Sequence, residues 1–269
     1  MKKLLKIVGT GALIWMLMSS VALAGISSPK SQNSSSNDLE TLKVVFAAMR
    51  SRVFIQTVAK DYLYIGNDVA TTQAQKEMAG ALKKFDKQQE TLANAFTDSK
   101  IKNLMVFVKM NVDEIKDTLK KPYSLDHAQE IIDLAEAVSE GNKKIAGYLK
   151  KKLSRQYPVG KGQRYMIIQV AKYYMAYESG IKDANTIRHM KQTVQNLDSL
   201  FQEMKAYPKN TVEINQVLNK IDRLWKIVKQ FYVDIEEGGL PVIVFQTTNK
   251  IDKELIEYAH LFKKIAAKK

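Results

Sequence analysis

Arg52-Val-Phe-Ile-Gln-Thr-Val-Ala-Lys-Asp-Tyr62 returns 112 positions later as Arg164-Tyr-Met-Ile-Ile-Gln-Val-Ala-Lys-Tyr-Tyr174. At this offset Arg, Ile, Val, Ala, Lys and Tyr coincide within eleven positions. Solenoid repeats are shorter, roughly 20–50 residues, whereas this spacing has the size of a domain. The stretch therefore predicts two copies of one module, each with an arginine at the same place in its first helix.

The match continues beyond this first helix. The same offset places Asp86 on Asp198, and one extra residue places Lys116 on Lys229. Apolar positions also correspond: Met78 with Met190, Leu82 with Val194, Phe85 with Leu197, Ile101 with Ile214, Leu104 with Val217, Val108 with Ile221 and Ile115 with Val228. The repeat therefore extends through the third helix of each copy.

Helix formers dominate the chain, glycines are few, and four of the five prolines fall where helices should break. We predict helices at about 38–65, 70–95, 100–120, 124–154 and 163–179. Three more follow, one after residue 183 and ending before 208, one after 211 and running to 238–239, and one from 241 to the end. A three-four apolar rhythm favours helices over strands. We interpret residues 242–245, which have a strand-like composition, as the buried start of the eighth helix.

The expected fold class is all-α: two tandem antiparallel four-helix bundles with eight long helices. We assign residues 1–24 to a signal peptide, 25–37 to a disordered, serine-rich lead-in and 38–155 to the first module. Residues 156–162 form a linker and 163–269 the second module. One elongated bundle with helices continuous across the linker is the alternative, against which Pro158 and the neighbouring glycines argue.

The first 24 residues have the pattern of an export signal. A lysine-containing start precedes an apolar stretch at 7–23, and Ala22-Leu-Ala24 is a small-x-small cleavage site. An uncleaved membrane anchor is the alternative, because this stretch nearly reaches the ~20 residues that span a bilayer. The chain has no cysteine, which excludes lipoprotein acylation and disulfides. We expect a periplasmic or secreted protein, cleaved after Ala24.

The chain is basic, with 42 lysines and arginines against 28 acids and a net charge of +14. Removing the three leader lysines leaves 39 against 28, or +11. Most lysine clusters lie near expected helix ends, where the helix dipole favours them. We interpret them mainly as solvated helix faces, with an anionic partner as the alternative. No recognition motif supports nucleic-acid binding.

Catalytic and cofactor motifs are missing from the sequence. His127, His189 and His260 fall on different predicted helices without the spacing of metal ligands. Phosphate-binding loops, nucleophile elbows and the Glu-x-x-His pairs of di-iron bundles do not occur. We therefore expect no enzyme activity, no cofactor and no metal site.

The repeated arginine is the sharpest candidate for a binding role. Arg52 and Arg164 lie among apolar and aromatic residues, where a guanidinium has to reach water, pair with a carboxylate or bind an anion. Guanidinium binds planar oxyanions through two hydrogen bonds. A salt bridge to a neighbouring helix is an equally weighted alternative.

Residues 52–63 resemble the first helix of the sensor modules of PilJ-type chemotaxis transducers and NarX-type nitrate/nitrite sensor kinases. Those modules carry a pattern close to Arg-Met-Leu-Ser-Gln-Arg-Ile-Ala-Lys. The second copy keeps the leading arginine and the Ala-Lys pair, and Trp225 resembles a tryptophan of the third helix. The resemblance covers about residues 40–154 and 162–266.

The resemblance implies an extracytoplasmic four-helix module that detects small molecules. It points to Arg52 and Arg164 as anion contacts, with Gln56 and Gln169 as further candidate ligand-binding residues. The family's second arginine is Thr57 in one copy and Gln169 in the other, which weakens the anion site. The family's downstream transmembrane helix and signalling domain are absent from this sequence.

Two functions follow as hypotheses. The first is an exported, non-catalytic, chemotaxis-related binding protein for a small anion, such as nitrate, nitrite or a carboxylate, or for a signalling partner. The second is a structural or interaction protein of the cell envelope without a small-molecule ligand. Expected partners are a membrane receptor or envelope protein, and a homodimer is compatible with the sequence. A carboxylate from a facing helix at Arg52 and Arg164 would favour the second function.

Overall fold

The computed structural model describes residues 30–95, 98–154 and 162–267, without the side chains of 30–36, 263 and 265–267. The helices are α1 (Lys30–Gly66), α2 (Thr71–Ala95), α3 (Ser99–Thr118), α4 (Leu125–Lys150), α5 (Gln163–Glu178), α6 (Ala184–Lys205), α7 (Val212–Val233) and α8 (Pro241–Ala267). A short 3-10 turn, Ile235–Glu237, precedes α8. The all-α class is confirmed, and these residues contain no strand.

Short polar side chains cap the N-termini of several helices, close to the helix boundaries predicted from the sequence. Ser124 Oγ accepts a hydrogen bond from the His127 amide at 3.1 Å, as its predicted capping role requires. Asp98, Asp183 and Thr211 cap α3, α6 and α7 in the same way. These caps satisfy amide groups that have no partner inside the helix.

Some boundaries differ from the prediction. α1 begins at Lys30, directly after Pro29, so its first turns lie inside the stretch assigned to a disordered lead-in. Proline suits the start of a helix, and no glycine or proline interrupts the chain between Lys30 and Asn37. α7 ends at Val233, before the predicted stop. The export signal and its cleavage site lie outside the described residues.

Residues 242–245 are helical, as predicted, but only half of them are buried. Val244 and Phe245 lie in the core, whereas Val242 and Ile243 are exposed. The helix therefore divides the apolar run between its two faces. None of the helices, over the part of the chain described, combines the length and apolar character needed to cross a membrane.

Two ion pairs occupy equivalent positions in the two copies. Lys116 Nζ lies 2.8 Å from Asp86 Oδ1, and Lys229 Nζ lies 2.5 Å from Asp198 Oδ2. These are the residues that the sequence repeat superposes. In each copy the pair joins the second helix to the third.

The first helix of each copy also ends in the same way. Asp68 has φ 55° and Gly180, 112 positions later, has φ 108°. The next amide donates back into the helix in both copies: Val69 N to Tyr64 O, and Ile181 N to Ala176 O, each at 2.9 Å. Left-handed backbone at this point favours glycine, and aspartate tolerates it better than most residues.

The helices pack within each copy and between the copies. α1 contacts α2 and α4, and α3 contacts α4; in the second copy α5–α6, α6–α7, α7–α8 and α8–α5 are in contact. α1 also packs along α5, which joins the copies. One buried apolar cluster contains residues of all eight helices. A smaller cluster joins the middle of α1 to the end of α2, the start of α3 and the end of α4.

Gly66 lies against the ring of Tyr123, so a larger residue at this position should destabilise the protein. A Cβ at Gly66 would lie 2.1 Å from Tyr123 Cδ2, whereas one at Gly80 would have no neighbour within 4 Å. We expect Gly66→Ala to lower the free energy of unfolding by about 1–3 kcal/mol, because the ring has to move. Gly80→Ala, in the interior of α2, should raise it by about 0.5–1 kcal/mol. Denaturant unfolding would measure both, and equal effects would contradict the packing at Gly66.

Candidate functional site

The candidate site is the contact between α1 and α5, which brings equivalent residues of the two copies together. Asn67 Nδ2 donates to Ser179 Oγ at 2.7 Å, and these residues are 112 positions apart. Arg52 and Tyr165, fifteen and fourteen residues earlier on the two helices, are also in contact. α1 and α5 therefore run in parallel and nearly in register.

Each copy inserts a buried lysine toward the fourth helix of the other copy. Lys60 Nζ donates to Asn249 Oδ1 on α8 at 2.9 Å, and Lys172 Nζ donates to Glu136 Oε1 on α4 at 2.5 Å. Lys60 and Lys172 are both fully buried. Asn249 follows Glu136 by 113 positions, the offset that superposes the third helices. Each copy therefore contributes one lysine that contacts the equivalent helix of the other copy, as in an isologous interface.

The Lys172 cluster consists of Lys172, Glu136, Tyr165, Gln169 and Tyr173. Besides Lys172, Glu136 accepts hydrogen bonds from the Tyr165 hydroxyl at 3.3 Å, Gln169 Nε2 at 3.1 Å and the Tyr173 hydroxyl at 2.9 Å. Burial alone would raise the pKa of Glu136, but the Lys172 charge and these hydrogen bonds together lower it to about 2. Glu136 therefore stays ionised, and both of its carboxylate oxygens accept hydrogen bonds within the cluster.

The Lys60 cluster consists of Lys60, Asp61, Glu77, Asn249 and Phe245. Lys60 Nζ lies 2.9 Å from Asp61 Oδ1, 3.4 Å from Glu77 Oε2 and 4.6 Å from the centre of the Phe245 ring. Asn249 Nδ2 donates to both oxygens of Glu77, at 2.9 and 2.8 Å. The cluster thus joins α1 and α2 of the first copy to α8 of the second.

Asp61 is the least satisfied carboxyl group of this cluster. It is fully buried, and neither of its oxygens has a hydrogen bond of normal geometry to another described residue. Burial raises the pKa of Asp61 to about 7, although the Lys60 ammonium opposes the rise. Tyr173 occupies the equivalent position in the second copy, so the two lysine clusters have different chemistry.

The two repeated arginines have different surroundings. Arg164 Nε and Nη2 donate to the two carboxylate oxygens of Asp252 on α8, each at 2.7 Å. Arg52 lies over the Tyr165 ring, with its Cζ 4.0 Å from the ring centre, and its buried Nε has no partner among the described residues. The first-copy counterpart of Asp252 is Ser139, 113 positions earlier, which explains why Arg52 lacks a facing carboxylate.

Gln56 and Gln169 both serve internal contacts. Gln56 is fully buried and donates from Nε2 to Ala135 O at 3.3 Å and Ser139 Oγ at 3.0 Å. Gln169 donates to Glu136 at 3.1 Å and to the Tyr165 hydroxyl at 2.8 Å. The structure therefore places Gln169 and Arg52 around Tyr165, whereas Gln56 and Arg164 point to different helices.

Three tyrosine side chains, Tyr64 on α1, Tyr174 on α5 and Tyr232 on α7, are fully buried. The Tyr232 hydroxyl is hydrogen-bonded to Thr248 Oγ1 at 2.7 Å, whereas those of Tyr64 and Tyr174 make no hydrogen bond of normal geometry within the described chain. Burial raises the pKa of all three tyrosines. These side chains belong to the core, and their rings pack on Phe245 and on one another.

One histidine, His189, borders the Lys172 cluster, and the other two lie apart from both lysine clusters. His127 Nδ1 lies 2.9 Å from Pro122 O, His189 stacks on Tyr173, and His260 is exposed. Over the described ranges, the acidic residues and histidines form no group of three that could hold a metal ion. An open surface depression on α6 is lined by residues including Ile187, Arg188 and Lys191, and its lining contains neither repeated arginine.

Comparison of the chain with protein-family models, with curated proteins and with solved structures found no match.

Proposed function

We propose that the protein is a non-catalytic interaction protein of the cell envelope, in which two helical modules are held together as one scaffold. The observation that carries this proposal is the paired hydrogen bond of Arg164 with Asp252, at 2.7 Å for both bonds. A carboxylate from a facing helix thus occupies one of the two guanidinium groups proposed for anion binding. The envelope location rests on the leader pattern of residues 1–24.

The proposal includes the tandem arrangement suggested by the resemblance to PilJ-type and NarX-type modules. Each copy supplies four consecutive helices, and the contacts within the second copy close a ring from α5 through α8. The α1–α5 contact and the exchanged lysines then make a pseudo-dimer within one chain. Such a scaffold presents fixed helix faces to a membrane receptor or envelope protein.

The structural role of Arg164 predicts a measurable coupling with Asp252. We expect Arg164→Gln and Asp252→Asn each to lower the free energy of unfolding by about 1–2 kcal/mol, because each leaves a partly buried charge without its partner. The double variant should be little worse than either single variant. Denaturant unfolding in an anion-poor buffer would measure this cycle.

The same proteins can distinguish structural pairing from anion sensing. Nitrate, nitrite and acetate should leave the Tm of the wild-type protein unchanged relative to chloride at equal ionic strength. A rise in Tm with one of these anions that disappears in Arg164→Gln would contradict the proposal at this position.

A small-anion site at Arg52 is the second candidate function. Arg52 has no carboxylate within ion-pair distance among the described residues, and its Nε lacks a partner. Partial burial and the Arg52 charge both lower the pKa of Lys150, which places a second cation in the same electrostatic environment. Calorimetric titration of wild type and Arg52→Gln with nitrate, nitrite and acetate tests this site. Heat of binding that Arg52→Gln abolishes would support it, and no heat in wild type would exclude these ligands.

A further inference from the structure

Three large apolar side chains form an exposed patch on α3. Val106, Phe107 and Met110, which we call the α3 patch, are 58%, 45% and 67% exposed. Residues three and four apart are neighbours on a helix surface, so Met110 lies beside both Val106 and Phe107. α3 packs mainly on α4, which leaves this face directed outward.

The second copy shows that folding does not require apolar residues at these positions. The offset of 113, which superposes α3 on α7, places Asn219, Lys220 and Arg223 opposite the three patch residues. All three of these polar residues are exposed. The same surface is thus hydrophilic in one module and apolar in the other, which points to a binding role specific to the first copy.

Lysines flank the α3 patch on α3 itself and on α4. Lys102 lies one turn before Val106 on α3 and is exposed. Phe107 packs near Gly141 of α4, and exposed Lys144 is one turn beyond that glycine. No described residue forms an ion pair with Lys102 or Lys144. The nearby Asp113 and Glu140 are already paired with Lys109 and Lys143.

The basic character continues to the adjoining end of the module. Asp98 at the start of α3 accepts hydrogen bonds from Tyr148 and Lys152, so the start of α3 and the end of α4 lie side by side. Lys100 and Lys151 are exposed in this region. The apolar patch is therefore part of a surface with excess positive charge.

We propose that the α3 patch and its flanking lysines form a docking surface for an anionic lipid membrane. Apolar side chains on a surface helix can enter the boundary between headgroups and acyl chains, while adjacent lysines contact lipid phosphates. A ridge on one outward helix face suits a lipid surface better than a partner helix, because apolar helices are bound in grooves. This inference goes beyond the proposed function and does not depend on an anion site at Arg52.

Vesicle flotation tests the proposal with the chain from Gly25 onward. This protein keeps every described residue and omits the apolar residues 7–23, which would bind vesicles by themselves. We expect binding to vesicles that contain phosphatidylglycerol, weak binding to pure phosphatidylcholine, and a loss of binding as salt concentration rises. Replacing Val106, Phe107 and Met110 by serine should weaken binding roughly tenfold or more.

Two further variants separate the apolar and electrostatic contributions. Lys102→Gln with Lys144→Gln should weaken binding to anionic vesicles by roughly tenfold or more. Val212→Ser, Ile227→Ser and Ile256→Ser together remove three exposed apolar residues of the second copy. This matched control should bind as wild type does. Circular dichroism would verify that each variant remains helical.

Specific results would overturn the proposal. Wild-type protein that does not float with phosphatidylglycerol vesicles at low salt would exclude the lipid surface. Unchanged flotation of the triple-serine variant would exclude the α3 patch as the docking site. Self-association of the wild type that is lost in the triple-serine variant, without vesicle binding, would assign the patch to a second copy of the chain instead.

Discussion

Replacing Glu136 by leucine is expected to lower the free energy of unfolding by about 3–5 kcal/mol, because it removes the counter-charge of a buried lysine. Lys172 is fully buried, and its ammonium lies 2.5 Å from Glu136. Glu136→Leu also removes the acceptor of the Tyr165, Gln169 and Tyr173 hydrogen bonds. Urea unfolding followed by circular dichroism would measure the loss.

A second substitution should rescue this variant. Glu136→Leu combined with Lys172→Met replaces the ion pair with apolar side chains, an exchange that is often neutral in protein cores. Asp113→Ala breaks the exposed Lys109–Asp113 pair and should change stability by less than about 0.5 kcal/mol. If Glu136→Leu were no more destabilising than Asp113→Ala, or if Lys172→Met gave no recovery, the Lys172 cluster would not have the proposed role.

Asp61 is expected to make the wild-type protein less stable as the pH rises from about 4 to about 7. Its folded-state pKa, raised to about 7 mainly by burial, lies above the ordinary value of 3.8. The folded state therefore binds the proton more tightly, and the resulting stabilisation is complete below pH 4 and lost above pH 7. The full effect corresponds to up to about 4 kcal/mol, at about 1.4 kcal/mol per pH unit.

Asp61→Asn removes this titration while keeping the shape of the side chain. Its stability relative to wild type should therefore increase between pH 4 and pH 7, measured by urea unfolding across that range. Asp113→Asn serves as a control for the loss of one carboxylate at an exposed position. A difference between wild type and Asp61→Asn that does not vary with pH would contradict the buried, protonatable Asp61.

Much of the helical organisation follows from local sequence. Ser124 begins α4 and Pro241 begins α8 where the residue preferences place them. The repeat also identifies the equivalent pairs Asp86–Lys116 and Asp198–Lys229, because both helices carrying them align in the two copies. The beginning of α1 differs from the prediction because its serine-rich turn, which favours a flexible segment by composition, continues a long helix instead.

The partners of the repeated lysines and arginines could not be predicted from the sequence. Lys60 and Lys172 are visible in the repeated Ala-Lys pair, but periodicity does not reveal which helix lies opposite a buried position. Their partners Asn249 and Glu136 are equivalent in position and different in chemistry, so residue identity does not align them. The same holds for Asp252 and Ser139, which give Arg164 and Arg52 different surroundings. These differences arise from tertiary packing between the copies.

The central claim is that the exchanged lysines join the two copies into one cooperative unit. Trp225, in the core of the second copy, is the single tryptophan after residue 24, and its indole donates to Asp198 at 2.7 Å. Its fluorescence during urea unfolding therefore monitors the second copy, whereas circular dichroism monitors both. We predict that Glu136→Leu, a change in the first copy, shifts both transitions to the same lower urea concentration. A Trp225 transition that keeps its wild-type midpoint while the circular dichroism signal separates into two steps would contradict the claim.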